Sequence, residues 1–138
     1  MDAQVAGHFA DVVARASATF ENVEYSTDTT PERSLLRLQA DYGRYRILVV
    51  ELFSDRVRKY RYYVLRREWV IAGFDNSPDP RAIRLKYGKI GDQHAGKLVP
   101  HLHLRDKADL VLTDEITFAS FVEWIQTNLA FENAPPPA

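Results

Sequence analysis

His101-Leu102-His103 sets two imidazoles two residues apart. In an extended segment, residues i and i+2 project from the same face, so the two rings would lie side by side. Two chemistries use such a pair. Neutral imidazole nitrogens can ligate a metal, here with His94 or an Asp completing the set. Alternatively, one ring accepts a proton while the other donates one, as in attack of a ribose 2′-hydroxyl on the adjoining phosphodiester. A basic neighbourhood lowers imidazole pKa values and favours the neutral form, so an imidazolium acid needs a carboxylate nearby. Asp75 and Asp106 are the candidates. A surface His-x-His with no chemical role is the third reading. His8, far away in sequence, is read as incidental.

A second constellation is Arg56-Val57-Arg58-Lys59-Tyr60-Arg61-Tyr62-Tyr63. As a strand it turns Arg58, Tyr60 and Tyr62 one way and Lys59, Arg61 and Tyr63 the other. Neither face is purely apolar, which predicts that at least one meets solvent. Cations among aromatic rings suit nucleic acid, because the cations meet phosphates and the rings offer platforms for unpaired bases. Arg58, Lys59, Arg61 and Tyr62 are the candidate contacts. High β-propensity of Tyr, with Arg stacked on it, explains the same pattern without a ligand.

The charge distribution bears on that choice. Residues 56–107 hold thirteen of the eighteen Lys and Arg and five of the nineteen acids, a formal +8 against −9 for the remainder. Such segregation points to an anionic partner unless folding interleaves the two signs.

These residues need elements to position them. Val5, Phe9, Val12, Ala16 and Phe20 recur at three and four, predicting an amphipathic helix over about 2–19. Residues 35–41 alternate as a half-buried strand, and Gly43 suits a tight turn. Tyr45 to Phe53 runs almost wholly apolar, as a central strand would. Strands follow over 57–65 and 69–75, with turns at Ser54-Asp55 and at 66–68. Asn76-Ser77-Pro78-Asp79-Pro80 reads as turn chemistry, and Gly88, Gly91 and Gly96 predict a loop-like stretch with a short extended piece near 99–104. Phe118, Phe121, Val122, Ile125 and Leu129 mark a closing helix capped by Thr117 or Asp114.

The prediction is one α+β domain over residues 1–132, a four-stranded antiparallel meander with an N-terminal and a C-terminal helix packed on one face. A disordered Pro-rich tail, 133–138, follows. The 138 residues are nearly half apolar, enough for a core, and contain no Cys, which excludes disulfides and thiolate metal sites. No signal peptide or membrane-length apolar run is visible, so a cytoplasmic protein is expected.

Taken in order, Tyr60-Arg61-Tyr62-Tyr63, Phe74-Asp75-Asn76-Ser77-Pro78, Pro100-His101-Leu102-His103 and a helix opening near Thr117-Phe118 resemble the TumE-like family of toxin–antitoxin systems. The likeness covers roughly residues 45–129 and singles out Arg61, Asp75, Asn76, His101 and His103. Two departures are the Asp79-Pro80 step, where members often carry histidine, and a longer stretch from Arg81 to Val99. The resemblance implies a toxin neutralised by an antitoxin protein, often a helix-turn-helix DNA-binding partner. It does not fix the reaction.

The expectation is therefore a toxin acting on RNA, with Arg58, Lys59, Arg61 and Tyr62 binding the strand and His101, His103 and Asp75 carrying the chemistry. No metal or other cofactor is assigned, no membrane partner is expected, and an uncovered sheet edge leaves a homodimer open. The alternative is a non-catalytic module that holds nucleic acid or an acidic protein on the basic block 56–107.

Overall fold

The structure, a computed structural model, describes residues 1–88 and 91–133. Helix α1 (Ala3–Thr19) begins where the Asp2 carboxylate accepts the backbone N–H groups of Gln4 and Val5, which the first turn would leave unpaired. It leads into a run of strands: β1 (Glu21–Thr29), β2 (Arg33–Tyr42), β3 (Tyr45–Ser54), β4 (Val57–Arg66) and β5 (Trp69–Asp75). After β5 come α2 (Pro80–Tyr87), the single turn α3 (Gly91–His94), the short strands β6 (His101–Leu104) and β7 (Asp109–Leu112), and α4 (Phe118–Asn133). Thr117 caps α4: its hydroxyl accepts the Ser120 N–H at 3.1 Å. Of the expected tail, Asn133 closes α4, and residues 134–138 lie outside the described residues.

The α+β class holds, but the four-stranded meander is too small. Among the described residues, seven antiparallel strands form one open sheet in strict chain order, β1 to β7. Three strands extend the expected set, β6 falling in the short extended piece near 99–104, and the expected turn at 76–79 leads not into a loop but into helix α2. Each miss has a physical reason. β1 is an edge strand with one half-buried residue, Val23, so it carries no apolar alternation. β6 and β7 are four residues each. The start of α2 uses Asp79 as N-cap and Pro80 at the first helical position, residue types that also make turns.

The sheet has two differently dressed faces. On the inner face Leu36, Ile47, Val49, Tyr62, Val64 and Phe74 pack against Phe9, Val12 and Ala16 of α1 and Phe121, Val122 and Ile125 of α4. Each fully buried side chain of this size contributes about 1.5–3 kcal/mol. The outer face is divided. α2 covers the β6–β7 end, where Ala82 and Ile83 bury against Val99 with Leu110 beside them. The β1–β4 end carries no helix among the described residues and is lined by half-buried Leu35, Val50 and Leu52 between exposed Arg33, Arg37, Lys59 and Arg61.

Candidate functional site

Strand register brings the sequence candidates together across β4, β5 and β6. Arg61 pairs with Asp75, and Asp75 with His101, forming one row across the outer face. The next row is Tyr63, Gly73 and His103. Side chains in directly paired positions share a face, so five functional side chains and one glycine make a compact patch. Asp75, His101 and His103 are buried, at 4%, 1% and 4% exposure.

The hydrogen bonds fix the protons. His101 Nδ1 lies 2.6 Å from the Val99 carbonyl, which can only accept, so this nitrogen carries the hydrogen. In the neutral ring His101 Nε2 is then a lone pair, and His103 Nε2, 3.2 Å away, donates to it. That leaves His103 Nδ1 as a buried lone pair with no hydrogen-bond partner among the described residues. Burial, reinforced by His101 and Lys107, holds His103 below the usual imidazole range, in agreement with its neutral form.

Asp75 is held on both oxygens. Oδ1 accepts the Ser77 N–H at 2.6 Å, while Oδ2 faces the Tyr63 hydroxyl at 3.4 Å and Arg61 Nε at 3.5 Å. The Tyr63 phenol is pushed up to about 12, first by burial and then by the Asp75 charge, so it stays a donor at neutral pH. Lys107 Nζ sits over the same ring, 5.3 Å from its centre. Lys107 is delivered by the β6–β7 turn, in which Arg105, Asp106 and Lys107 all have positive φ (51°, 54° and 69°). Three successive non-glycine residues in the left-handed region cost about 1 kcal/mol or more each. Asp106 pins the turn by exchanging hydrogen bonds with Val70, and Arg81 holds the Lys107 carbonyl at 3.0 Å.

Gly73 makes room for this arrangement. A Cβ there would stand 2.9 Å from Cε1 and Cζ of Tyr63, the ring lying flat across β5. Gly73→Ala is therefore expected to displace Tyr63 from Asp75 and to destabilise the fold by about 1–3 kcal/mol, the usual range for overpacking. Urea denaturation checks the energy. A Tyr63 ring resonance unchanged by the substitution would contradict the displacement.

Two of the four expected strand-binding residues are elsewhere. Arg58 and Tyr62 face inward and do not join Lys59 and Arg61 on the outer patch. Tyr62 is fully buried beneath Phe121, and its hydroxyl donates to Glu51, itself at 0% exposure. Arg58 donates to Glu51 Oε1 at 3.4 Å, to Glu115 at 2.9 Å and to the Ile116 carbonyl at 3.0 Å, and its guanidinium covers the Tyr60 ring. The cause is strand alternation combined with burial of the inner face by α4. His8 belongs to the same network and is not incidental: its Nε2 lies 2.6 Å from Glu51 Oε2. Asn76 is structural, bridging the Tyr60 N–H and the Arg58 carbonyl with its side-chain amide.

His94 is not part of the histidine cluster; it stacks on Tyr87 at 4.2 Å, and Asp75 takes the third position instead. Asp106 is likewise occupied by its backbone contacts. Tyr63, Gly73 and Lys107 were not singled out from sequence. Tyr63 was reachable, since it shares the Arg61 face by alternation, whereas Gly73 and Lys107 join only through tertiary pairing.

The imidazole pair does not present two independent proton-transfer arms. The rings are bonded to each other through Nε2, so the arrangement is one connected donor cluster of two imidazoles and a carboxylate. No protein-family model, curated protein or solved structure matches this chain.

Proposed function

We propose that the protein is a toxin that acts on RNA, laying a single strand along the open half of the outer face and reacting at the Asp75–His101–His103 cluster. The observation that carries this reading is the double position of Arg61. It lines a groove of about 300 Å3 with Arg33, Arg37 and Lys59, and its Nε lies 3.5 Å from the cluster carboxylate. The groove floor is apolar, formed by Leu35, Val50 and Leu52, while the cations stand at its sides. Arg33, Arg37 and Lys59 have no ion-pair partner among the described residues. Unpaired cations over a concave apolar floor suit a phosphate backbone with bases turned inward. The toxin setting, with an antitoxin protein that blocks the same face, rests on the sequence resemblance.

This version relocates the binding surface. Arg58 and Tyr62 give way to Arg33 and Arg37, which lie outside the basic sequence block. Replacing Arg37 and Lys59 together by Ala is expected to weaken RNA binding at all sequences alike. The slope of log K against log salt should fall by about 0.7 for each phosphate that is no longer neutralised. An unchanged slope would remove the groove from the binding surface.

The burial of His101 and His103 favours a second reading, a non-catalytic module that binds on the groove alone. The two readings separate on the histidines, whose replacement leaves a pure binding module fully active.

A further inference from the structure

We infer that Asp75, His101 and His103 form a binding site for a divalent first-row transition ion of the zinc type, with at least one coordination position left for water or substrate. The inference concerns the same cluster as the proposed function, but it stands on coordination geometry and needs no RNA.

Three observations carry it. One ligand atom from each of Asp75, His101 and His103 lies within 4.8 Å of the others. The two Nε2 atoms are 3.2 Å apart. Two nitrogens bound at about 2.0–2.1 Å in a tetrahedron stand about 3.3 Å apart, so the imidazoles already span one tetrahedral edge. The carboxylate has to close by at most about 1.5 Å, the difference between 4.8 Å and that edge.

The second observation is orientation. His101 Nδ1–H donates to the Val99 carbonyl at 2.6 Å, which fixes Nε2 as the electron pair directed into the cluster. Metal-bound histidines characteristically use the remote nitrogen in this way. The Asp75 carboxylate is oriented similarly by the Ser77 N–H, and Tyr63 stands beside it as a further donor.

The third observation is an imbalance of protons. The cluster sets a carboxylate and the His101 lone pair against the one N–H that His103 Nε2 brings in, and a metal ion held by the two Nε2 atoms displaces that hydrogen to His103 Nδ1. Between the carboxylate and the two Nε2 atoms, electron pairs outnumber hydrogens. A cation is the species that uses such a surplus. Two imidazoles and one carboxylate suit zinc, iron, cobalt or nickel better than magnesium or calcium, which prefer all-oxygen sets. Arg61 is the opposing charge, but its side chain is 62% exposed and can leave the carboxylate for solvent.

The test uses untagged full-length protein, stripped with a chelator and titrated with zinc chloride by calorimetry. One equivalent should bind, with a rise in Tm as binding to the folded state demands. His101→Gln and His103→Gln should each weaken binding at least 100-fold, whereas His94→Gln should bind as the parent does. Because buried substitutions can unfold the chain, the parent itself supplies a second measurement. Cobalt should give the visible bands of a four- or five-coordinate site, and zinc should shift the imidazole nitrogen resonances of His101 and His103 together. No stoichiometric zinc, or zinc that leaves both imidazole signals unmoved, overturns the inference. RNA turnover that persists without any zinc binding sinks the metal site alone, while zinc binding without RNA binding sinks the RNA reading alone.

Discussion

If the proposed RNA reading holds, RNA turnover is expected to fall by about 100- to 10,000-fold when His101 and His103 are both replaced by Gln, the span that positioned proton transfer by side chains typically supplies. On the same reading, growth inhibition is expected to disappear with it. The expectation follows from how the cluster is wired. His101 is locked by the Val99 carbonyl, and its other nitrogen bonds to His103, so removing either ring takes a partner from the other. The single variants should therefore each cost nearly as much as the double, because the two rings act as one unit. Gln keeps a hydrogen-bonding group of similar reach, and circular dichroism with urea melts shows whether the fold survives. A folded double variant that still degrades RNA at the parent rate ends the catalytic assignment. If that variant also inhibits growth as before, the non-catalytic module becomes the better account.

The second large effect is on stability and lies on the opposite face. Glu51→Ala is expected to lower the free energy of unfolding by about 3–5 kcal/mol, the range for breaking a buried ionic network from one side. Glu51 is fully buried and serves His8, Arg58 and Tyr62 at once. Its removal takes the acceptor from the buried Tyr62 hydroxyl and the partner from His8, and leaves Arg58 with Glu115 as its one carboxylate among the described residues. Burial foremost, with the Glu51 charge added, raises the Tyr62 phenol far above its ordinary value, so it cannot compensate by ionising. A domain this size is stable by only about 5–15 kcal/mol, so the loss is a large share of the total. Denaturant midpoints measure it, and a change under about 1 kcal/mol, the size expected of an exposed pair, would show that the network is not coupled. One corollary concerns mutagenesis of the basic strand. Charge reversal at Arg58 sets a new negative group against Glu51 and Glu115, so a loss of activity there would report unfolding and not a missing phosphate interaction.

The residues of the site were legible in the sequence to an uneven degree, and the reasons are physical. His101, His103 and Asp75 could be picked out because an i, i+2 spacing on a strand is a strictly local constraint. Their mutual closeness was not local, since it depends on β6 pairing with β5 in a register set by residues up to about thirty positions apart. The helix at 80–87 was hidden because Asp and Pro begin both turns and helices, and only continuation decides between them. The basic block misled for a similar reason. Alternation divides Arg58-Lys59-Tyr60-Arg61-Tyr62 between faces, and sequence does not reveal which face a later helix will cover. The inner half was covered by α4, whose Glu115-Ile116 approach neutralises Arg58. Of the block, Lys59 stays unpaired among the described residues, and the cations that join it, Arg33 and Arg37, come from β2, well upstream.

Because every strand neighbours its predecessor, the sheet can be laid down in the order of translation. The four cations of the Arg33–Arg61 trough are in place once β4 has paired, when less than half of the polypeptide has been made. The imidazoles arrive later, with β6. A growing chain thus has its cationic surface before its histidine cluster, and the two halves of the outer face come into being at different times.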